Sequence, residues 1–246
     1  MCTLLVQIYY KELHWRYFKR IMENNTEIRT IYEILLSAYG EQGWWPTKNT
    51  YSPSFKKRKR TPGERFEICV GAILAQNTSW KNAERALDNL READVLAAKK
   101  MEKLSERELA TLIRPAGYYN LKAKKLKEFL KYSGPISRDK LLEIWGCGPE
   151  TVDSILLYAF NEPVFVVDAY ARRIFSRVGL CSDKISYEKL QNLFIENLPE
   201  DEELFNEYHA LLVEHAKVHC KTKPICTGCC LETICKKKGI KRIKSK

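Results

Sequence analysis

The sequence predicts an all-α protein of about ten helices, and two observations lead to that fold class. Apolar residues recur every three or four positions along almost the whole chain of 246 residues, which is the period of a helix with one buried face. The only strand-like run is 164–167, and a single strand cannot build a sheet. No repeat with a period of about 20–50 residues is visible, so a solenoid is excluded.

Helix-end signals separate the predicted helices. Gly40 follows the first apolar stripe, residues 61–63 (Thr-Pro-Gly) precede the second, and residues 133–135 (Ser-Gly-Pro) follow the fifth. Proline favours the first turn of a helix and glycine favours its end, so these residues mark boundaries. The apolar stripes lie, in chain order, at 28–39, 66–74, 83–90, 109–112, 126–130, 141–145, 152–159, 174–178, 190–194 and 204–215.

The net charge of +11 comes from two short segments of the chain. The run 56–60 is entirely basic, and the tail 236–246 carries seven basic residues and no acidic one. The rest of the chain is close to neutral. Such local patches suggest a polyanionic partner, either nucleic acid or an anionic membrane surface, although solvated segments without a partner have the same composition.

The sequence contains no sign of export or of a membrane span. No uncharged apolar run approaches the ~20 residues that a spanning helix needs. The start of the chain lacks a basic region ahead of its apolar letters, so no signal peptide is expected. We therefore expect an intracellular protein, in the cytoplasm or with the nucleoid. Residues 1–21 are an extension of uncertain status, since Met22 is an alternative start.

Residues 141–152 predict two short helices joined by a tight glycine turn. Gly146 and Gly148 flank one residue, and Pro149 suits the first turn of the second helix because its missing N–H needs no partner there. The exposed amides and the positive end of that helix would bind an anion such as a DNA phosphate. An ordinary helix–helix turn has the same letters.

Five of the nine cysteines fall close together near the end of the chain. Cys220, Cys226, Cys229 and Cys235 have the spacing C-x5-C-x2-C-x5-C, with Cys230 as an alternative third ligand. Four thiolates at fixed spacing suit a tetrahedral zinc ion or an iron–sulfur cluster, and spacing alone does not separate the two. The clustering favours a metal site in a reducing compartment over a disulfide framework.

Other cysteines and the histidines carry no such pattern. Cys69 and Cys181 are expected to be small buried residues. His209, His215 and His219 have no accompanying carboxylate pattern, so we expect them to pack in the core or lie on the surface.

The segment 161–173 extends the hairpin into a longer pattern. An apolar loop with a proline leads to Asp168, which opens the next helix and precedes Arg172. An aspartate here is also a favourable helix N-cap. Together with the hairpin, this segment resembles the helix-hairpin-helix DNA glycosylases, the superfamily that includes endonuclease III. The resemblance implies that Asp168 is catalytic, that double-stranded DNA with a damaged base is the partner, and that the four cysteines hold a [4Fe-4S] cluster, with Zn²⁺ as the alternative.

Two upstream segments are similar to the same superfamily. Residues 75–80 resemble the loop whose glutamine, here Gln76, enters the space left by a flipped nucleotide, and residues 117–123 resemble a neighbouring family segment. Trp80 or Tyr119 could stack on the extruded base or pack in the core. The DNA-contacting residues that the resemblance implies are Gln76, Gly146, Gly148, Thr151, Lys221 and Lys223.

Glu150 departs from the pattern of the lyase-competent members. They carry a lysine at this position, and a carboxylate cannot form a Schiff base. The residues around Gln76 and Glu150 resemble the endonuclease III-related 3-methyladenine glycosylases. We therefore expect a monofunctional glycosylase that acts on alkylated purines. The alternatives are a bifunctional glycosylase and AP lyase for oxidised pyrimidines, and a DNA-binding module without catalysis.

The resemblance also implies the domain organisation. It predicts a monomer with two helical domains flanking a DNA-binding cleft. One domain would span 62–160 and contain the helix-hairpin-helix at about 139–160, and the other would join 22–61 to 161–246 and contain the cluster and the basic tail.

Overall fold

The computed structural model describes residues 27–51 and 59–240. These residues form eleven α-helices and one short 3-10 turn and contain no strand, which confirms the all-α class. The extension 1–21, residues 56–58 of the first basic run and residues 241–246 of the tail lie outside the described residues. Among the described residues, no helix combines the length and the apolar character that crossing a membrane requires.

The helices follow the predicted apolar stripes. We number them α1 to α11: α1 27–39, α2 Pro62–Leu74, α3 Trp80–Glu92, α4 Ala98–Met101, α5 Glu106–Leu112, α6 Tyr119–Leu130, α7 Arg138–Leu142, α8 Pro149–Phe160, α9 Ala169–Val178, α10 Tyr187–Ile195 and α11 Glu202–Val218. A 3-10 turn at Arg114–Ala116 precedes α6.

Side-chain caps explain why two of the helices begin where they do. At the start of α2, the Thr61 side chain accepts a hydrogen bond from the Glu64 amide, and the Glu64 carboxylate accepts one from the Thr61 amide. Ser105 and Glu108 form the same reciprocal box at the start of α5. Each box satisfies two amides that the first turn of a helix leaves without a backbone partner.

The chain divides into two compact units. The unit with the hairpin comprises the described residues of 42–166 and 201–207, and the other comprises the described residues of 1–41, 167–200 and 208–246. We call them the hairpin unit and the cysteine unit. Helix α11 contributes its first residues to the hairpin unit and the rest to the cysteine unit.

The hairpin unit packs α2 against α8, with α3, α5 and α6 around them. Both central helices are apolar over most of their surface, as expected for helices covered on several sides. Its core includes Ile68, Ile73, Leu87, Leu126 and Ile155, each almost fully buried.

The cysteine unit has a separate core built from aromatic rings. Phe175 of α9 lies 4.5 Å from Phe194 of α10, and Phe194 lies edge-on to Tyr208 at 5.6 Å between ring centroids. The Tyr208 hydroxyl donates a 2.8 Å hydrogen bond to the Ile28 carbonyl of α1. This bond joins α1 to α11 across 180 residues of sequence.

Residues 42–51 and 59–61 belong to the hairpin unit, whereas the sequence prediction placed 42–61 with the cysteine domain. Trp45 packs on Tyr158 of α8, and the Lys48 amide donates to the Glu67 carboxylate of α2. Arg60, the last residue of the basic run, is buried, and its guanidinium donates to the Trp45 carbonyl. Composition alone predicts an exposed loop for such a charged stretch, because it contains no information on the contact between Arg60 and Trp45.

The strand-like run 164–167 forms no strand, since no partner segment pairs with it in the described chain. It is an extended connection whose residues Phe165, Val166 and Val167 are buried. These residues are therefore apolar because the segment that leads to Asp168 is buried, and not because it forms a strand.

Candidate functional site

The turn between α7 and α8 has the backbone that the two glycines predicted. Gly146 has a φ of +89°, and a Cβ built there would lie 2.5 Å from Cγ of Lys125. Gly148 is extended at the N-cap of α8, and a Cβ there would meet no atom within 4 Å. Gly146 is thus required because the turn needs a positive φ and because the Lys125 side chain leaves no room for a Cβ. The space beside Gly148 is open, so a ligand can approach the first amides of α8 there.

A buried ion pair holds the two hairpin helices together. Asp153 of α8 is fully buried, and both of its oxygens accept hydrogen bonds from the Arg138 guanidinium of α7, at 2.7 and 3.1 Å. The two parallel bonds fix the orientation of one helix relative to the other as well as their distance.

Gln76 contacts the hairpin directly. Its side-chain amide donates to the Gly146 carbonyl at 3.0 Å and to the Thr151 hydroxyl at 2.8 Å, and its carbonyl oxygen accepts a hydrogen bond from Lys125. Three predicted DNA-contacting residues, Gln76, Gly146 and Thr151, therefore lie together. Lys125 joins them through its hydrogen bond to Gln76, and no pattern in the sequence predicted this contact.

Glu150 lies exposed in the first turn of α8, where the positive end of the helix dipole stabilises an acidic side chain. One amine of α6 lies inside the core of the hairpin unit. Lys122 is 2% exposed, and burial lowers its pKa to about 8, but its ammonium donates to the carbonyls of Leu74 and Ala116 at 2.8 Å. A lysine held by two carbonyls inside the core stabilises the fold and is not placed to attack a sugar.

Trp80 belongs to a cluster of aromatic rings in the hairpin unit. It lies edge-on to Trp44 at 4.9 Å and to Trp45 at 5.0 Å, and Trp44 also contacts Tyr51. The indole nitrogens of Trp45 and Trp80 are buried and have no hydrogen-bond partner among the described residues. Adjacent tryptophans at 44 and 45 were the available sequence signal for this cluster, and sequence reasoning missed it.

Tyr119, the other aromatic residue predicted for a base pocket, lies elsewhere in the same unit. It is the first residue of α6 and is half-buried, with the Arg114 guanidinium 6.0 Å from the centre of its ring. An electropositive group already lies over the ring.

Asp168 is the N-cap of α9 in the cysteine unit and is 9% exposed. Its Oδ1 accepts a 2.7 Å hydrogen bond from the Ala171 amide, so this oxygen satisfies the first turn of the helix. Its Oδ2 lies 3.6 Å from Nε2 of His209 on α11. One carboxylate oxygen thus caps the helix, and the other faces an imidazole ring.

His209 is therefore a neighbour of the predicted catalytic residue, whereas the sequence predicted only packing or surface exposure. It is 8% exposed and lies 41 positions from Asp168 in the chain. No local pattern of residues could have joined the two, because they meet only when α11 packs near the start of α9.

The four predicted ligands, Cys220, Cys226, Cys229 and Cys235, line one small apolar cavity of the cysteine unit. Cys230 is not among the lining residues; its sulfur lies 3.9 Å from the Tyr39 hydroxyl. No three metal-binding side chains of the described residues are arranged as one metal ion requires. A four-iron cluster makes a different demand, because each thiolate binds a separate corner iron. The four thiols and their apolar surroundings fit such a cluster.

Two arginines of α9 hold the loop that follows the first cysteine. Arg173 donates to the Cys220 carbonyl, and Arg177 donates to the carbonyls of Lys221 and Thr222. The predicted DNA contacts Lys221 and Lys223 lie exposed on this loop. The arginines of α9 therefore hold the backbone of this loop, while the side chains of both lysines are exposed to solvent.

The remaining described cysteines behave as apolar residues. Burial raises the pKa of Cys69 to about 12, and those of Cys147 and Cys181 to about 11. All three thiols therefore stay protonated at neutral pH, which leaves them weak nucleophiles.

Comparisons with known proteins show the family to which the chain belongs. The profile of the HhH-GPD superfamily of base excision DNA repair proteins matches residues 70–200, which contain the hairpin and Asp168. A Methanocaldococcus jannaschii protein named as a DNA repair glycosylase is 45% identical over 87% of this chain and 98% of its own length. The endonuclease III of Sulfolobus acidocaldarius is 30% identical over 70% of this chain and 81% of its own length.

Solved structures give the same fold. A trapped endonuclease III–DNA covalent intermediate superposes with a TM-score of 0.70 at 22% identity, covering 87% of this chain and 96% of that one. A Helicobacter pylori 3-methyladenine DNA glycosylase bound to 1,N6-ethenoadenine has a TM-score of 0.61 at 25% identity, covering 80% and 97%. The chain belongs to the HhH-GPD superfamily of base excision DNA repair proteins. Within it, the protein is an endonuclease III-like DNA glycosylase.

Proposed function

We propose that the protein is a monofunctional glycosylase that releases an alkylated purine, such as 3-methyladenine, from double-stranded DNA. Two residues at helix starts, one in each unit, carry the proposal. Asp168 presents a buried carboxylate with one oxygen facing away from its helix cap, and Glu150 stands where a lyase needs an amine. A carboxylate without a nucleophilic amine points to water as the attacking group.

The reaction breaks the bond between the sugar C1′ and the base nitrogen. The bonding electrons leave with the base, so positive charge develops on the sugar, and the Asp168 carboxylate stabilises that charge. Water then supplies the oxygen to C1′, and its proton passes to the Oδ2 side of Asp168. An alkylated purine is cationic before the bond breaks and leaves as a neutral base, so the step needs no general acid.

The aromatic cluster supports a cationic purine as the substrate. Trp44 and Trp80 are partly exposed and supply electron-rich rings, and a cation placed over the face of such a ring is attracted by about 0.5–2 kcal/mol. Tyr119 is the weaker candidate, because Arg114 already lies over its ring.

DNA is held by the hairpin and the cysteine loop in this proposal. In the hairpin unit, DNA phosphates accept hydrogen bonds from the amides near Gly146 and Gly148 and from the hydroxyl of Thr151. In the cysteine unit, Lys221 and Lys223 bind DNA phosphates. Gln76 fills the gap that the extruded nucleotide leaves. To do so it exchanges its hydrogen bonds with Gly146, Thr151 and Lys125 for bonds to the DNA.

Borohydride trapping separates the proposal from the bifunctional alternative. We expect the protein to release 3-methyladenine from a methylated duplex and to form no covalent adduct when borohydride is added during the reaction. Endonuclease III, which has the lyase lysine, is the positive control on an oxidised duplex. A trapped adduct would show a Schiff base and would establish the lyase route, whereas DNA binding without any base release would establish the non-catalytic alternative.

For the cofactor, we propose that Cys220, Cys226, Cys229 and Cys235 hold a [4Fe-4S] cluster. When bound, the cluster supplies a structural link between the ends of the loop 220–235. Arg173 and Arg177 already order the first part of this loop, so the cluster completes the support of the exposed lysines.

Metal analysis of the purified protein tests the cofactor. We expect about four iron and four sulfide per chain, and a brown colour. Cys226→Ser should remove most of the iron, while the matched variant Cys230→Ser should retain it because Cys230 lies outside the cavity. Stoichiometric zinc without sulfide, or equal iron loss in the two variants, would contradict the assignment.

A further inference from the structure

One face of α9 forms a basic groove in the cysteine unit. Ala169, Arg172, Arg173, Ser176 and Arg177 line it at helical spacing, and Lys238 closes the other side. The groove has a volume of about 590 Å³. We call it the α9 groove.

The charges that line the α9 groove are predominantly positive. Three arginines and one lysine face a single carboxylate, that of Asp183. Arg173 and Arg177 use part of their guanidinium groups to hold the cysteine loop. Arg172 has a buried Nε with no hydrogen-bond partner among the described residues. The lining therefore carries an excess of positive charge that an anion would neutralise.

The start of the basic tail is part of this groove. The Lys236 amide donates to the Val178 carbonyl at 3.1 Å, and the Lys238 amide donates to the Arg177 carbonyl at 3.0 Å. Gly179, with a φ of +103°, permits this approach, because a Cβ there would lie 2.6 Å from Cδ of Lys236. The backbone of Lys238 is thus fixed against the end of α9.

We propose that the α9 groove binds the phosphodiester backbone of DNA. The groove starts at Ala169, directly after Asp168, and its lining runs over nine residues of α9 to Arg177. The helix rises about 12 Å from Ala169 to Arg177, and phosphates follow one another every ~3.4 Å along the axis of one strand, so the groove accommodates more than one phosphate of one strand. A continuous polyanion uses this length, whereas a free phosphate would occupy only a part of it. The proposal rests on the proposed function in that the polyanion is the DNA on which Asp168 acts.

The salt dependence of binding to an undamaged duplex tests the groove. The logarithm of the binding constant falls with the logarithm of salt concentration, with a slope of about 0.9 for each phosphate contact. The double variant Arg172→Gln with Lys238→Gln should lower the magnitude of this slope by about 1–2. Lys189→Gln removes a charge from an exposed position of α10 in the same unit and should leave the slope unchanged.

Two further measurements keep the outcomes distinct. Arg172→Lys retains the charge and should retain the wild-type slope, which separates charge from packing. A double variant that melts at the wild-type temperature with the slope of Lys189→Gln would overturn the proposal. Saturable binding of inorganic phosphate, lost in Arg172→Gln with the DNA slope unchanged, would also overturn it and assign a small-anion site. Because the readout uses undamaged DNA, it stays informative even if base release is never found.

Discussion

Replacing Asp168 with asparagine is expected to slow base release by at least about 10²–10³-fold. The substitution keeps the shape of the side chain but removes the negative charge that stabilises the developing sugar cation. DNA affinity should change little, because the hairpin and the basic surfaces are untouched. Single-turnover base release at saturating DNA, measured beside the dissociation constant, separates the two effects.

Asparagine is the informative substitution because Asp168 also caps α9. An asparagine oxygen accepts the Ala171 amide as well as an aspartate oxygen does, whereas alanine would cost about 1 kcal/mol of stability and confuse the result. Asp201 offers a matched control, since its Oδ1 accepts the Leu204 amide at the same spacing. We expect Asp201→Asn to release base at the wild-type rate. Wild-type activity in Asp168→Asn would remove Asp168 from the chemistry.

Replacing Arg138 with glutamine is expected to lower the free energy of unfolding by about 3 kcal/mol. The carboxylate of Asp153 is fully buried and loses its guanidinium in this variant, and a buried charge that loses its partner costs more than the pair contributed. The complementary variant Asp153→Asn should cost less, because it leaves the charge on the partly exposed arginine. Urea denaturation followed by circular dichroism measures both.

Arg107→Gln serves as the control for the ion pair. Arg107 is an exposed arginine of α5 in the same unit, so its substitution removes the same charge from the surface. We expect a change within about 0.5 kcal/mol for this variant. Equal stability of Arg138→Gln and Arg107→Gln would show that the ion pair does not hold the hairpin.

Features of the fold and site that depend on neighbours in the chain could be predicted from the sequence. The glycine turn at Gly146, the start of α2 after Thr61 and the helix cap at Asp168 all rest on bonds within a few residues. Local patterns of spacing and residue type record such bonds directly. The four cysteines are a similar case, because their short spacing keeps them close in any compact loop.

Contacts between distant segments could not be predicted in this way. Lys125 bonds to Gln76 across 49 residues, and His209 meets Asp168 only after α11 packs. Arg60 belongs to a basic run that is expected to be exposed, but it is buried and its guanidinium donates to the Trp45 carbonyl. In each case a single residue gains its role from a tertiary contact that leaves no periodic trace in the chain.

The free base that the protein releases from two matched duplexes identifies its substrate class. One duplex carries 3-methyladenine and the other an oxidised pyrimidine at the same position, and the products are identified by mass spectrometry under single-turnover conditions. We expect free 3-methyladenine with the sugar left on an intact strand. Release of the oxidised pyrimidine alone, with strand cleavage, would contradict it.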